Sequence, residues 1–318
     1  MSVPASVVVQ GRVRDARPSV RTGAPWHTDV LLLLMAVMWG LNYSVLKYTS
    51  GFMGALAING LRIPSAAAAQ LAIARGLRRR PPDPREIRTL ILLGVIGNGI
   101  YQFFFIEGLV RARVATAALL IAATPAVTAI YGRVRGTEHL TRRQWGGVIL
   151  QLVGCSTVAI GAVGGHNGRA DTTLGVVFLL AASLTWAVYA VAMKKYSDHI
   201  EPWYLGGYTM LGGAVVAVLV GIPALMAVEW SAISARVWVS LFYSCLIAMV
   251  VAYLLYYRGL RVLGPTRTSM YANLQPIIAM LVAWGMLREQ PTLPQLSGAG
   301  LIVSGLLITR YAGEPAEP

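Results

Sequence analysis

Polar and aromatic side chains recur at helical spacing inside long apolar stretches of this chain. One stretch contains Asn98, Tyr101, Gln102 and Phe105. Because steps of three, four and seven return to the same side of a helix, these four side chains share one face. Amide groups are costly in an apolar environment, so this face is expected to line a cavity or to contact another helix. Two interpretations stay open: a wall that contacts a small molecule, or polar contacts that hold helices together.

Other apolar stretches carry further residues of the same kind. They are Trp39, Asn42 and Tyr43 in one stretch, Trp186 and Tyr189 in a second, and Tyr253 and Asn273 in two later ones. Both tryptophans lie near the middle of their stretches, where they could stack on an aromatic or apolar ligand or simply pack between helices. Tyrosine adds one hydroxyl to an apolar ring, which suits a mildly polar cavity. Together with Asn98, Tyr101 and Gln102, these residues are the predicted substrate-binding positions.

Ionisable residues are scarce inside the apolar stretches. Arg62 is the one arginine placed within such a stretch, and it could either extend its charge to the membrane surface or neutralise a carboxylate or phosphate. For Lys47, near the end of a stretch, we favour the surface-directed interpretation. The stretches contain no buried Asp, and Glu107, the one acid near the interior of a stretch, is close to its end. This distribution argues against proton coupling through an acid in the middle of the membrane and leaves uncoupled exchange open.

The sequence offers no arrangement for catalysis or for a cofactor. The four histidines are far apart, so no metal-ligand spacing occurs, and Cys155 and Cys245 are most simply small core residues within apolar runs. No Gly-rich loop with a lysine is present to hold the phosphates of a nucleotide. The serines within the apolar stretches have no His or Asp there to activate them. We therefore predict neither an enzyme, nor a metal site, nor a cofactor.

Composition indicates that the stretches that position these residues lie in a membrane. Of 318 residues, 56% are hydrophobic and only 13% are charged, against about 25% charged in soluble proteins. Ten stretches approach the roughly 20 residues that cross a bilayer. They run near 29–49, 53–75, 88–109, 114–133, 143–163, 173–194, 203–226, 236–257, 267–287 and 295–312. The predicted fold is an all-α integral membrane protein with ten transmembrane helices.

The distribution of Lys and Arg predicts the orientation. The net charge is +14, yet the basic residues cluster between the apolar stretches, where they act as topology signals and not as a nucleic-acid-binding surface. With the N-terminus inside, 20 of the 27 lie in inner segments and five in outer segments. Both termini are predicted to be cytoplasmic, with a disordered tail at 1–28 and a short one at 313–318.

The second half of the chain repeats a pattern of the first half at a shift of 151 residues. The coinciding pairs are Glu138/Glu289, Thr141/Thr292, Gln144/Gln295, Gly147/Gly298 and Gly154/Gly305, and upstream Pro125/Pro276. Since five helices per copy is an odd number, the copies at 29–163 and 173–312 must insert with opposite orientation. We expect the matched Glu and Gly residues to form helix ends and packing contacts. The two prolines could kink helices beside a central cavity or merely shape packing.

The matched residues carry a resemblance to a known family. A helix with Pro125 or Pro276, a Glu at its end and a Gly-rich helix after it resemble the recurring pattern of the EamA branch of the drug/metabolite transporter superfamily, over residues 29–312. Trp39-Gly40 and Trp186-Ala187 are similar to that family's opening-helix pattern. Within the family, the chain is most similar to the YddG-type amino-acid exporters. The resemblance implies ten helices around a central cavity, alternating access and export of small metabolites.

These observations lead to one preferred function and two alternatives. The preferred prediction is a transporter of the bacterial inner membrane, a monomer or weak dimer in the lipid bilayer. Its expected substrates are small molecules, first of all amino acids including aromatic ones, which follows mainly from the resemblance. A transporter of nucleotide sugars or sugar phosphates would need more buried cations than Arg62 and Lys47 supply. A non-transporting membrane scaffold would not need an inverted repeat.

Overall fold

A computed structural model describes residues 26–134, 141–163, 172–197 and 199–311, and every regular element within these ranges is helical. Seven helical stretches are long and apolar enough to cross a membrane. They are Trp26–Thr49, Pro84–Val110, Val114–Tyr131, Arg142–Ala162, Thr173–Met193, Pro202–Met226 and Ala235–Gly259. Two shorter apolar helices, Gln275–Leu287 and Leu293–Thr309, follow them. The predicted all-helical membrane architecture is confirmed at this level.

The described residues form thirteen α-helices. They are α1 Trp26–Thr49, α2 Ala55–Gly76, α3 Pro84–Gly94, α4 Tyr101–Val110, α5 Val114–Ala122, α6 Thr124–Val134, α7 Arg142–Val163, α8 Thr173–Ser197, α9 Pro202–Met226, α10 Ala235–Phe242, α11 Ala252–Ala272, α12 Gln275–Leu287 and α13 Leu293–Tyr311. A π-helical segment at Val95–Ile100 joins α3 to α4. A second π segment at Tyr243–Val251 joins α10 to α11, and a 3₁₀ turn at Trp230–Ala232 precedes α10.

The helix boundaries differ from the predicted ones in several places. The predicted stretches 114–133 and 267–287 are interrupted, at Ala123 and at residues 273–274. The first helix begins at Trp26, so residues 26–28 are helical and do not belong to a tail; Asp29 in its first turn favours this start, because a negative charge stabilises a helix N-terminus. The predicted break at 263–265 is wrong, since α11 continues to Ala272. Gly and Pro are tolerated within membrane helices where neighbouring groups satisfy the freed backbone atoms.

Three of the other predicted breaks are confirmed, and one lies outside the described residues. Residues 78–82 and 290–291 lie between helices, and α9 begins at Pro202, as expected. The predicted break at 164–168 lies outside the described residues. The same is true of residues 1–25, of Glu138 and of the segment 313–318.

The repeated Thr and Gln residues begin two helices in the same way. Thr141 N donates to Gln144 Oε1 at 2.8 Å, and Gln144 N donates to Thr141 Oγ1 at 3.2 Å. Thr292 N likewise donates to Gln295 Oε1 at 2.9 Å. These contacts at the starts of α7 and α13 satisfy backbone amides that a first helical turn leaves unpaired.

The repeated glycines bring α7 and α13 into close contact. A Cβ atom on Gly147 would lie 2.5 Å from Gly305 O, and one on Gly305 would lie 2.5 Å from Gly147 O. Gly154 and Gly298 stand in the same relation at 2.8 Å. Because the lower-numbered glycine of each helix meets the higher-numbered glycine of the other, the two helices are antiparallel. Residues without a side chain permit this approach, which confirms that the matched glycines form packing contacts.

The remaining helices pack in corresponding pairs. α1 packs along α11 and α12, α8 packs along α4 and α6, and α2 packs against α9. Helix starts also correspond at the shift of 151: α4 and α11 begin at Tyr101 and Ala252, and α6 and α12 begin at Thr124 and Gln275. The four helices α1, α4, α8 and α11 carry most of the predicted binding residues. α1 contacts α4 and α11, and α8 contacts the same two helices.

The close approach of α7 and α13 predicts a sharp difference between neighbouring glycines. Gly147→Ala should destabilise the protein by about 1–3 kcal/mol, because the added methyl group meets the opposing backbone. Gly146→Ala is the matched control, since a Cβ there meets nothing within 4 Å. Thermal unfolding of both variants in detergent measures the effect. Equal melting temperatures for the two would contradict the described contact.

Candidate functional site

Five aromatic residues from four helices form a contiguous group, which we call the aromatic cluster: Trp39, Tyr101, Trp186, Tyr189 and Tyr253. Ring centroids are 5.3 Å apart for Trp39 and Tyr253, 4.8 Å for Tyr101 and Trp186, and 5.2 Å for Trp186 and Tyr189. Tyr189 and Tyr253 also belong to one buried hydrophobic cluster, against which Trp39 and Trp186 pack. These spacings are those of favourable aromatic pairs. The fold thus brings together predicted residues that are far apart in the chain.

The two π segments lie directly beside the aromatic cluster. The Trp39 indole Nε1 donates to Ala248 O of the second π segment at 2.9 Å, which orients this ring. The Tyr189 ring packs against Gly97 of the first π segment, where any side chain would collide with the ring. π segments interrupt the regular helical hydrogen bonding and are frequent at functional sites.

A second group of residues surrounds the guanidinium of Arg62, and we call it the Arg62 group: Arg62, Asn59, Gln102 and Ser244. Arg62 is 2% exposed. Its Nε donates to Asn59 Oδ1 at 3.0 Å, Nη1 to Ser244 Oγ at 2.9 Å and Nη2 to Gln102 Oε1 at 2.5 Å. Asn59 Nδ2 in turn donates to Gln102 O at 2.8 Å. The guanidinium is therefore held inside the protein, and the surface-directed interpretation of Arg62 is wrong.

The Arg62 group adjoins the aromatic cluster. Gln102, which accepts from Arg62, follows Tyr101 of the cluster on the same helix. Ser244, which accepts from Nη1, lies in the same π segment as Ala248, the acceptor of the Trp39 indole. Cys245 Sγ contacts Arg62 O at 3.5 Å. A buried cation with neutral hydrogen-bond partners thus stands at one side of a set of aromatic rings.

Several buried polar atoms near the aromatic cluster lack hydrogen-bond partners. Neither side-chain polar atom of Asn98 has a hydrogen-bond partner, and neither does Tyr189 Oη. Each of the two residues is at least 97% buried. The Tyr189 hydroxyl faces Asn98, Thr209 and Tyr257 without reaching hydrogen-bond geometry with them. Buried polar groups are normally paired, so these atoms require an explanation beyond packing.

Not every predicted residue joins the cluster. Tyr43 lies beside it, with its ring 5.3 Å from Phe105, which stacks on Tyr101 at 5.8 Å. Asn42 is buried with an unpartnered Oδ1. Asn273 instead lines a small cleft of about 20 Å³ with residues of α5, α12 and α13, among them Ala122 and Pro276.

The two prolines stand just after helix interruptions. Pro125 is the second residue of α6, which follows a turn at Ala123. Pro276 is the second residue of α12, which follows the non-helical residues 273–274. The first amides of a helix have no partner within the helix. A proline in the first turn, which lacks an amide N–H, therefore costs no intrahelical hydrogen bond. The prolines therefore begin helices and do not bend continuous ones.

Sequence reasoning missed Asn59 and the role of Ser244. The signal for Asn59 was its spacing of three from Arg62, which places both side chains on one helix face. Ser244 was considered only as a nucleophile, although it donates or accepts hydrogen bonds as readily in a binding role. Its contact with Arg62 spans 182 residues, and no local pattern could reveal it.

Charged residues near the helix ends serve the backbone. Lys47 Nζ donates to the carbonyl oxygens of Leu109, Val110 and Ala112 at 2.7–3.0 Å, so it caps the end of α4. Its surface-directed interpretation stays a prediction. Glu289 Oε2 accepts from Val114 N at 2.8 Å and caps the start of α5, as expected for a matched Glu. In the described part of the chain, no group of His, Cys, Asp and Glu is arranged to hold a metal.

Comparison with known proteins agrees with this geometry. The EamA-like transporter family matches residues 26–160 and 173–311. The chain belongs to this family of membrane transporters. A probable amino-acid metabolite efflux pump of Salmonella typhimurium is 26% identical over 292 residues, with 88% of this chain and 94% of the relative covered. A probable terminal-alkyne amino-acid exporter of Streptantibioticus cattleyicolor is 27% identical over 288 residues, with 86% and 93% covered.

Other relatives share the architecture without naming a substrate. The uncharacterized transporter YyaM of Bacillus subtilis is 25% identical over 292 residues, with 88% of this chain and 93% of the relative covered. A crystal structure matches this EamA-like chain with a TM-score of 0.63 at 17% identity, over 89% of this chain and 96% of that one. The structural likeness shows the fold alone.

The aromatic cluster predicts which aromatic residues are important for transport. Trp39→Ala and Tyr101→Ala should each lower transport by up to about tenfold, because each removes a ring pair from the site. Trp284→Ala is the matched control, since Trp284 is 54% exposed on α12. Uptake assays normalised to the amount of purified protein measure the effect. Normal transport by both cluster variants would remove these residues from the site.

Proposed function

We propose that this EamA-like transporter exports small metabolites, most of all amino acids including aromatic ones, across the bacterial inner membrane. The supporting observation is the aromatic cluster with a buried cation beside it, at the meeting of α1, α4, α8 and α11. Rings bind apolar side chains of many shapes, and a few polar groups orient the ligand. Two relatives, a probable amino-acid metabolite efflux pump and a probable terminal-alkyne amino-acid exporter, support the substrate class.

The proposed framework is ten transmembrane helices in two inverted five-helix repeats, 29–163 and 173–312. Support comes from the reciprocal glycine contacts of the antiparallel helices α7 and α13. The two π segments correspond at the same shift. The first one, moved by 151 positions, covers 246–251, and the second one also ends at Val251. The family also matches the chain in two separate segments. In the proposed topology both termini are cytoplasmic, as the distribution of Lys and Arg predicts.

Alternating access is proposed to occur by movement of helices around the aromatic cluster. The rings contact one another in this structure, so a central cavity would form when the pair α1 and α11 separates from the pair α4 and α8. The interruptions before Pro125 and Pro276 are the proposed hinge points, because a break in helical bonding absorbs changes of backbone angle. The contacts of Lys47 and Glu289 would close the outer side, and they would have to break for release there.

The absence of an acid from the site bears on coupling. Among the described residues of the spans, Glu107 is buried near the end of α4 but pairs with Arg111. A paired carboxylate at a helix end is poorly placed to carry a proton across the membrane. We propose uncoupled exchange or facilitated export. Because Lys47 caps α4, Arg62 alone is left to neutralise a phosphate, which disfavours nucleotide sugars and sugar phosphates.

A flux assay with purified protein in liposomes tests this function. A panel of radiolabelled amino acids, with aromatic, aliphatic, acidic and basic members, is assayed with and without an imposed pH gradient. We expect flux of aromatic amino acids down their own gradient, with little dependence on the pH gradient. Protein-free liposomes and the Trp39→Ala variant are the controls. Absence of flux for every amino acid would refute the proposed substrate class, and strict dependence on the pH gradient would refute uncoupled transport.

A further inference from the structure

The buried charge of Arg62 has no carboxylate partner within the described residues. The buried carboxylate of Glu107 pairs with Arg111, and Glu86 bonds to His199, so neither of these two acids serves Arg62. Neutral oxygens of Asn59, Gln102 and Ser244 satisfy three of the five N–H groups of Arg62, but they leave its positive charge uncompensated. A charge removed from water is strongly destabilising unless an opposite charge lies nearby. The site is therefore electrostatically complementary to an anion.

We propose that Arg62 binds the carboxylate of the transported molecule, and that substrates are small carboxylates with an aromatic or apolar group. This inference rests on the proposed transport function and specifies its ligand. The planar guanidinium can form two parallel hydrogen bonds to a carboxylate. In the bound state the carboxylate takes the places of Ser244 Oγ at Nη1 and Gln102 Oε1 at Nη2. Asn59 keeps its contact with Nε and orients the guanidinium.

The surroundings of Arg62 match the other parts of such a molecule. Gln102, which accepts from Arg62, directly follows Tyr101 of the aromatic cluster on α4. An apolar group attached to the carboxylate would therefore pack on the aromatic cluster. The displaced oxygens of Gln102 and Ser244 become free to accept hydrogen bonds from the ammonium of an amino acid. The unpartnered groups of Asn98 and of Tyr189 in the cluster could bind a further polar group of the substrate.

A purely structural role for Arg62 makes a different prediction. Arg62 links α2 to α4 and to the second π segment, and its loss could weaken the packing of these elements. Such a loss would lower the binding of all ligands equally. A carboxylate-binding role lowers only the binding of ligands that carry a carboxylate, so the preference between an acid and its amide distinguishes the two.

The first test uses the unaltered protein and therefore does not depend on folding of a variant. Binding of L-phenylalanine, L-phenylalaninamide and 3-phenylpropanoate is measured by the fluorescence of the tryptophans in detergent. We expect the amide to bind at least about tenfold more weakly than the acid, because it cannot form the charge-assisted pair. The deaminated acid should still bind. Binding of the amide with an affinity equal to that of the acid overturns the proposal.

This test also separates the inference from the proposed function. Flux of L-phenylalanine with equal competition by its amide would refute carboxylate recognition and leave amino-acid export standing. Binding of 3-phenylpropanoate but not of the amide, with no amino-acid flux, would refute the export function and support carboxylate recognition.

The second test changes the cation and compares two arginines. Arg62→Lys keeps the charge but loses the paired geometry, so the Kd for the acid should rise about tenfold with little change for the amide. Arg62→Gln should abolish the preference for the acid. Arg111→Lys, which alters an arginine paired with Glu107, should leave the preference unchanged. An equal loss of acid and amide binding in both Arg62 variants would overturn the proposal.

Discussion

A bilayer offers no water to backbone N–H and C=O groups, and much of this structure follows from that constraint. All regular structure in the described residues is helical, so most backbone groups are paired within their own segment. Helix ends are satisfied by side chains: Lys47 serves three carbonyls at the end of α4, and Glu289 serves the first amide of α5. The charged side chains of Lys47 and Glu289, which could have had functional roles, therefore serve as hydrogen-bond partners of backbone groups.

The same constraint explains why Arg62 stands out. It is fully buried, belongs to the middle of α2, and is bonded to side chains and not to a helix end. The guanidinium is kept inside the protein by hydrogen bonds to oxygens of α2, α4 and the second π segment. These bonds hold the three elements together around Arg62. The aromatic cluster is then built around that point by α1, α8 and α11.

Two kinds of helix contact divide the molecule into parts with different properties. α7 and α13 meet through glycines and leave almost no space between their backbones. The helices that carry the aromatic cluster meet through large rings, whose contacts can separate without breaking backbone hydrogen bonds. In the proposed mechanism, the glycine contacts keep their helices together while the aromatic contacts open and close.

The sequence by itself determined the membrane class, most helix boundaries and the relation between the two halves. These properties depend on composition, on apolar length and on residues at a constant shift, such as Gly147 and Gly298. It also indicated all five residues of the aromatic cluster, because aromatic and amide residues stand out in apolar helices.

Only the tertiary structure decided how these residues are used. The positions of Lys47 and Arg62 in the sequence suggested similar behaviour, yet one caps a helix and the other is enclosed by Asn59, Gln102 and Ser244. Likewise Asn273 lines a separate cleft while Tyr253 joins the cluster. The physical reason is that the partner of a polar side chain in a helical bundle lies on another helix. Such contacts join residues about 40 to 180 positions apart here, and no local pattern specifies them.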